Sequence, residues 1–284
     1  MFQSFDEVSS PAATPERVKA LKRKLESRDL DGFLVPHSDE HQDEFLPPSA
    51  ERLRWLTGFT GSAGAAVVLK DAAALFVDGR YTLQARTQAD TSLFEVLQTP
   101  EAKVSAWIKS KLPAGGSIGY DPNLHTVKEI ERLSETLGKA GIKLVPQETN
   151  PIDELWTDRP RPPSTPVVPH AFEFAGRSAK DKIAAVQNVL AEAKADAVLL
   201  SMLDSIAWLF NIRGADISHM PLALAYALVP REGKAMLFID AAKVSENVRG
   251  HLADAAEIHP PDALETKLTA LGKAGARVRI DPET

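Results

Sequence analysis

Cysteine is absent from the sequence, which excludes disulfides, thiolate metal sites and a cysteine nucleophile. Long apolar runs are missing too. The longest, "PLALAYALVP", is bounded by prolines and falls well short of the roughly 20 residues a membrane-spanning helix needs. Aromatic residues make up only 6% of the chain, and positive charge is nowhere gathered into a stripe; the formal net charge is -6, with Lys and Arg scattered among acids. Phosphate backbones and anionic bilayers are held by clustered cations, so neither a nucleic acid nor a membrane is an expected partner. The opening stretch "MFQSFDEVSSPAATP" has no basic region followed by an apolar one, so no secretory signal is read and a cytoplasmic location is the expectation. What is left is 284 residues of ordinary globular composition, 44% hydrophobic and 25% charged, enough for two domains with real cores.

The chain says the same thing twice. "TPERVKALKRKLE" predicts an amphipathic helix with Thr14 as N-cap, Pro15 at the first helical position and Val18, Leu21 and Leu25 on one face. The strand "GFLVP" follows, then "ERLRWLTGF", the strand pair "AAVVLKDAAALFVD" and "GSIGYDP". From Ser178 the order recurs: a helix with Ile183, Val186 and Leu190 on one face, the strand "AVLLS", "SIAWLFNIRG", the pair "LAYALVPREGKAMLFID", and "ARVRIDP". Trp55 matches Trp208, Asp78 matches Asp240 and Asp121-Pro122 matches Asp281-Pro282, an offset of roughly 160 residues that marks a domain-sized duplication. Short turns inside each strand pair predict antiparallel hairpins, hence a mixed sheet flanked by helices in each copy. The domains are expected at 1–155 and 173–284, joined over 156–172 by an extended segment stiffened by Pro160, Pro162, Pro163, Pro166 and Pro169. In the first copy "YDP" leads into a helix with a capping box, Thr126 and Glu129, and a stop at Gly141. The second copy reaches only "IDPET", so its domain is expected to be incomplete at the C-terminal side.

Most catalytic motifs fail on their context. The glycines of "GFTGSAGAAVV" open a strand rather than a helix, and no Gly-Lys-Ser/Thr follows, which removes a phosphate loop. In "PHSDEHQDEF" the residue after His37 is Ser38, so the His37/His41 pair lacks the zincin Glu; a polar loop after a strand is the plainer reading. There is no Gly-x-Ser-x-Gly elbow, and His125, His170, His219, His251 and His259 sit in no triad context. Arg80 stands apart. It follows the strand "AALFVD" at a strand-to-helix turn, Gly79 is expected to bend the chain there, and the second copy carries Asp240-Ala241-Ala242 instead. The fold therefore does not require this arginine, whose planar fork of donors suits a carbonyl or a carboxylate.

Taken together, "VPHSDEHQDEF", "GFTGSAGAAVV", "VDGRYTLQA", "ELWTDRP", "SIAWLFNIRG" and "MLFID" resemble, in order and spacing, the N-terminal half of the Xaa-Pro aminopeptidases of the three-domain type. The resemblance implies two tandem creatinase-N-terminal-like α/β domains. In the family a third, pita-bread domain binds two metal ions, usually manganese, and a metal-bound hydroxide attacks the carbonyl before proline. By that resemblance this chain is the non-catalytic portion, with no catalytic residue, metal ligand or cofactor of its own. It would shape substrate access for peptides with proline at the second position and support a homodimer. Arg80 resembles the family's substrate-contacting arginine, and Asp39 and His41 match its loop. The rival reading is a stand-alone, peptidase-like protein-binding module, which the retained "DGRY" disfavours. Prolidase and creatinase carry one such N-terminal domain rather than two.

Overall fold

The computed structural model describes Ser9 and residues 11–284. The expectation about the N-terminal stretch thus falls in large part outside the described residues. Two compact units emerge, one made of the residues up to Glu40 with Pro48–Arg161, the other of His41–Pro47 with Pro162–Thr284.

In the first unit the elements run α1 (Thr14–Glu26), β1 (Gly32–Pro36), α2 (Arg52–Thr57), β2 (Gly64–Leu69), β3 (Ala73–Asp78), α3 (Thr82–Gln88), β4 (Glu95–Thr99), α4 (Val104–Lys111), β5 (Ser117–Tyr120), α5 (Val127–Gly138), β6 (Lys143–Pro146) and α6 (Pro151–Leu155). The sheet order is β4-β3-β2-β1-β5-β6, with β2 antiparallel to both neighbours and the other pairings parallel. Strand side chains alternate between the faces, and both faces are covered. Phe33, Val35, Val68, Leu75 and Val77 pack with α1, α2 and α3, while Leu34, Val67 and Phe76 pack with Trp107 and Ile108 of α4 and Leu137 of α5. The expected face of α1 is the buried one: Val18, Leu21 and Leu25 are all at most 3% exposed.

Two caps differ from expectation. Pro11–Ala13 form a 3-10 turn that runs straight into α1, so Ala13 holds the cap position in αR geometry and Thr14 is already a buried helical residue. Thr126 does cap α5, accepting from the Glu129 backbone N–H at 3.1 Å, but the Glu129 carboxylate turns to His125 Nδ1 at 3.1 Å, so only half of the capping box is formed.

The second unit holds β7 (Val168–Pro169), α7 (Phe172–Ala175), α8 (Ala179–Glu192), β8 (Ala197–Leu200), α9 (Leu203–Phe210), β9 (Ile212–Arg213), β10 (Tyr226–Pro230), β11 (Ala235–Phe238), α10 (Glu246–Leu252), β12 (Ala256–His259), α11 (Ala263–Lys273) and β13 (Val278–Arg279). Its main sheet, β12-β11-β10-β8-β13, repeats β4-β3-β2-β1-β5 in both order and strand sense, and β7 pairs β9 in a separate ribbon. The duplication extends to single hydrogen bonds. Asp31 Oδ2 accepts the Ser117 backbone N–H at 2.9 Å, and Asp196 Oδ2 accepts that of Arg277 at 2.8 Å.

The two sheets differ at one edge. In the first unit β6 pairs with β5, whereas in the second β13 is the outer strand of its sheet. Beside it Val186, Val189, Leu200, Met202 and Ile280 line a groove of about 510 Å³, with Val189 53% and Ile280 55% exposed. Strand edges open without outer pairing. In the 1–284 polypeptide the Val278 and Arg279 amides are expected to exchange with deuterium at least about tenfold faster than those of Ile118 and Gly119. Equal protection of β13 and β5 would contradict this.

Candidate functional site

Strands β1, β3, β4, β5 and β6 all run in one direction and β2 runs against them, so their carboxyl ends and the entry to β2 share one edge of the sheet. Turns at such an edge carry side chains beyond the strands while the sheet holds their bases rigid, which is where α/β folds place ligands. Arg80, the 58–63 segment and the loop after β1 all lie there.

The turn after β3 is built by Asp78. Its Oδ1 accepts the Arg80 backbone N–H at 2.8 Å, an Asx-type cap on the 3-10 turn Gly79–Tyr81. Gly79 does not have positive φ, and a Cβ there would meet only the Gln98 side chain, at 3.3 Å. The bend expected of Gly79 is therefore supplied by the aspartate. The same carboxylate also holds the guanidinium: Arg80 Nε donates to Oδ2 at 2.9 Å and to Oδ1 at 3.2 Å, and Nη2 donates to Oδ2 at 2.6 Å. Arg80 keeps 62% of its side chain exposed and lies over the Tyr81 ring, 5.2 Å from its centroid. The arginine holds the Asp78 carboxyl below the usual carboxylate range, chiefly through these side-chain hydrogen bonds. The pair is thus intact at neutral pH and comes apart only as the pH falls through that lowered value.

Tyr81 is itself fixed. Its ring meets Phe59 edge-on at 5.6 Å, and its hydroxyl shares a 2.9 Å hydrogen bond with Ser62 Oγ. Gly61 makes room for the two rings, since a Cβ there would lie 2.2 Å from Phe59 Cζ and 2.9 Å from Tyr81 Cδ1. Gly58 ends α2 in the left-handed region at φ 82°, the place Asn211 takes after α9 at φ 51°. The glycine-rich stretch thus seats an aromatic pair beneath the arginine turn. One signal pointed to this seat, the recurrence of Gly58, Gly61 and Gly64 leading into β2, but the ring pair that Gly61 admits was not legible in it.

The other predicted residues are placed differently. Asp39 is 1% exposed and belongs to the first unit; His41 is 3% exposed and belongs to the second, where its Nδ1 lies 2.9 Å from Ser201 O and its ring 4.8 Å from that of Tyr226. His37, in the first unit, has its backbone N–H on Gly64 O at 2.9 Å. Nearby Glu51 is pushed up by burial, an effect partly offset by His37 and Arg54. Among the described residues no group of three or more His, Asp or Glu stands where it could hold a metal ion.

Two mixed sheets that share five strands in the same order and sense, each sandwiched by helices, define a duplicated α/β class with its candidate arginine on the first copy alone. Residues 17–155 and residues 158–284 each match a family model described as the creatinase/prolidase N-terminal domain, and the chain belongs to that family in both halves. It is similar to Aminopeptidase P2 of Arabidopsis thaliana, 39% identical over 90% of this chain and 36% of that protein. It is 37% identical to the probable Xaa-Pro aminopeptidase P of Coccidioides posadasii (strain C735), over 96% of this chain and 42% of that protein. Among solved structures, X-prolyl aminopeptidase from Caenorhabditis elegans, described as a cytosolic enzyme with a di-nuclear active site, superposes with a TM-score of 0.88 at 31% identity, over 94% of this chain and 46% of that one. The chain therefore spans less than half the length of these relatives. No helix of the described residues is long and apolar enough to cross a membrane.

Proposed function

We propose that this chain is the N-terminal, non-catalytic portion of a cytoplasmic Xaa-Pro aminopeptidase, a dinuclear manganese peptidase that releases the residue before a proline. Its two domains shape access for peptides with proline at the second position and support a homodimer. Arg80 contacts the peptide from the edge of the first sheet, and Asp39 and His41 shape the neighbouring loop. The observation that carries this reading is collinear similarity, at 37–39% identity, to aminopeptidases more than twice as long as the matched region.

The test compares two polypeptides. Purified 1–284 is expected to bind no manganese stoichiometrically and to hydrolyse no Xaa-Pro peptide, while a longer polypeptide containing the segment equivalent to the rest of the relatives does both. Elemental analysis that finds about one tightly held metal per 1–284 chain overturns the assignment and makes His37 and His41 the first ligands to replace. A longer polypeptide that binds protein partners but leaves every proline-second peptide intact favours a binding module instead.

A further inference from the structure

The first unit is a template for one exposed face of the second. In the first, α6 lies across α1 and α2, and its Ile152 and the following Trp156 share a core with Leu21, Leu25 and Trp55. Trp156 stacks on Trp55 with ring centroids 5.7 Å apart. Arg17 of α1 also grips Trp55, donating Nη1 to its carbonyl at 2.5 Å with the guanidinium 4.7 Å from the ring. The second unit repeats this grip with a lysine. Lys182 of α8 donates Nζ to the Trp208 carbonyl at 2.8 Å and lies 4.3 Å from the Trp208 ring. Asp281 likewise repeats Asp121, each accepting the backbone N–H two residues on, at 2.9 and 3.0 Å. The frame of the seat is thus duplicated, and its cover differs. Trp55 is 9% exposed, whereas Trp208 is 53% exposed on α9, one turn on from Ser205 of the groove that Val186, Val189 and Met202 also line.

The charges around the two seats are not the same. Acids fasten α6 to the first unit: Asp153 pairs with Arg52 at 2.7 Å, and Glu154 with Lys24 at 2.5 Å and Arg28 at 2.6 Å. In the second unit Ser205, Val189 and Ala193 stand at the positions of Arg52, Lys24 and Arg28. All three cations are gone. A helix with the acids of α6 would set a carboxylate against Val189 with none of these counter-ions, while an apolar side chain there gains from burial. The polar end of the seat is retained, since Asn150 caps α6 and donates to Asp121 Oδ2 at 3.0 Å, and Asp281 stands in the equivalent place. We propose that the α8–α9 face seats a short helix from the remainder of a longer polypeptide, preceded by a strand on β13 as β6 precedes α6. Its polar N-cap faces Asp281, and uncharged, mainly apolar side chains stand where α6 carries Asp153 and Glu154. The inference rests on the reading of this chain as the N-terminal portion of a longer peptidase, and adds to it the place and residue pattern of a contact that ties the second unit to the remainder.

The experiment compares 1–284 with the longer polypeptide, reading hydrogen exchange at Val278 and Arg279 and hydroxyl-radical labelling at Trp208. Both are expected to fall at least about tenfold in the longer polypeptide, as the strand covers β13 and the helix covers the indole. Val189→Lys then decides the chemistry of the helix. Against an apolar helix it should raise Trp208 labelling in the longer polypeptide about tenfold, back to the level of 1–284, whereas Val189→Ile should leave it low. Ser205→Arg, which restores the other cation of the first unit, should act as Val189→Lys does. If the helix is acidic like α6, the new cations gain partners and labelling stays low, which overturns the residue pattern. In 1–284, where Val189 is 53% exposed, the Val189 variants should change neither labelling nor the melting temperature, which separates loss of the helix from damage to the unit. Equal labelling of Trp208 in the two polypeptides overturns the seat. Cleavage of proline-second peptides is measured on the same preparations. A longer polypeptide that cleaves them with Trp208 still open overturns the seat and leaves the peptidase reading standing. One that shields Trp208 and cleaves none overturns the peptidase reading and leaves the seat standing.

Discussion

Replacing Lys243 by methionine is expected to destabilise the second unit strongly. Lys243 and Asp216 are 4% and 5% exposed, and their charged ends meet at 2.6 Å. The Asp216 carboxylate also accepts the Leu224 backbone N–H at 2.8 Å, the Thr165 backbone N–H at 3.2 Å and the Thr165 hydroxyl at 2.5 Å. One carboxylate thus fastens the proline-rich segment, the stretch before β10 and the turn after β11. Methionine fills the lysine's volume but leaves that carboxylate buried without a counter-charge. Breaking one side of a buried pair costs about 3–5 kcal/mol, whereas the intact pair adds little over an apolar replacement. For a unit of this size the midpoint of thermal unfolding should fall by roughly 12 °C or more. Asp216→Asn should be similarly damaging, because it strands the ammonium. Combining the two should recover part of the loss, since the amide oxygen still accepts from Thr165 or Leu224 and no net charge stays buried. A shift of only a degree or two in Lys243→Met would show that water or rearrangement compensates the aspartate.

That node also marks where sequence reasoning stops. The duplication, the mixed sheets and the buried faces of α1 and α8 could be read because they rest on periodicity and short turns, both local properties of the chain. Asp216 and Lys243 lie 27 positions apart and Thr165 a further 51 positions before Asp216, and no local pattern announces that three such polar residues converge. The placement of residues 41–47 with the second unit is equally silent, because the partners of buried His41, Ser201 and Tyr226, lie far along the chain. At the candidate site the arginine was singled out by its absence from the second copy. The aspartate cap that builds its turn was not read. Sequence reasoning gave the bend to Gly79 because glycine is the usual residue at a turn, while the actual agent is a side-chain oxygen two residues ahead of the amide it caps. The capping box at α5 misled in a related way: Glu129 had a second suitor, His125, which a spacing rule does not weigh.

Arg80→Ala and Arg80→Lys, made in the longer polypeptide, are expected to lower kcat/KM by about ten- to a hundredfold while leaving the melting temperature nearly unchanged. A hydrogen bond with one charged partner is worth roughly 1.5–3 kcal/mol, which sets that range. Lysine should rescue little. Its ammonium can pair with Asp78, but a point charge on a flexible stem cannot occupy one edge of a planar fork and present the other. Stability should be spared for reasons visible in the structure. The side chain is 62% exposed, an exposed ion pair contributes little, and the backbone cap from Asp78 Oδ1 to the residue-80 N–H survives both substitutions. The second unit supports the point, because it folds the same turn with Ala242 at the equivalent position and keeps the cap from Asp240 at 2.9 Å. If Arg80 served the fold instead, both variants would melt earlier and turnover per folded molecule would be intact. Thermal unfolding and steady-state kinetics on the same preparations separate the outcomes, since one account moves only kcat/KM and the other only the melting temperature.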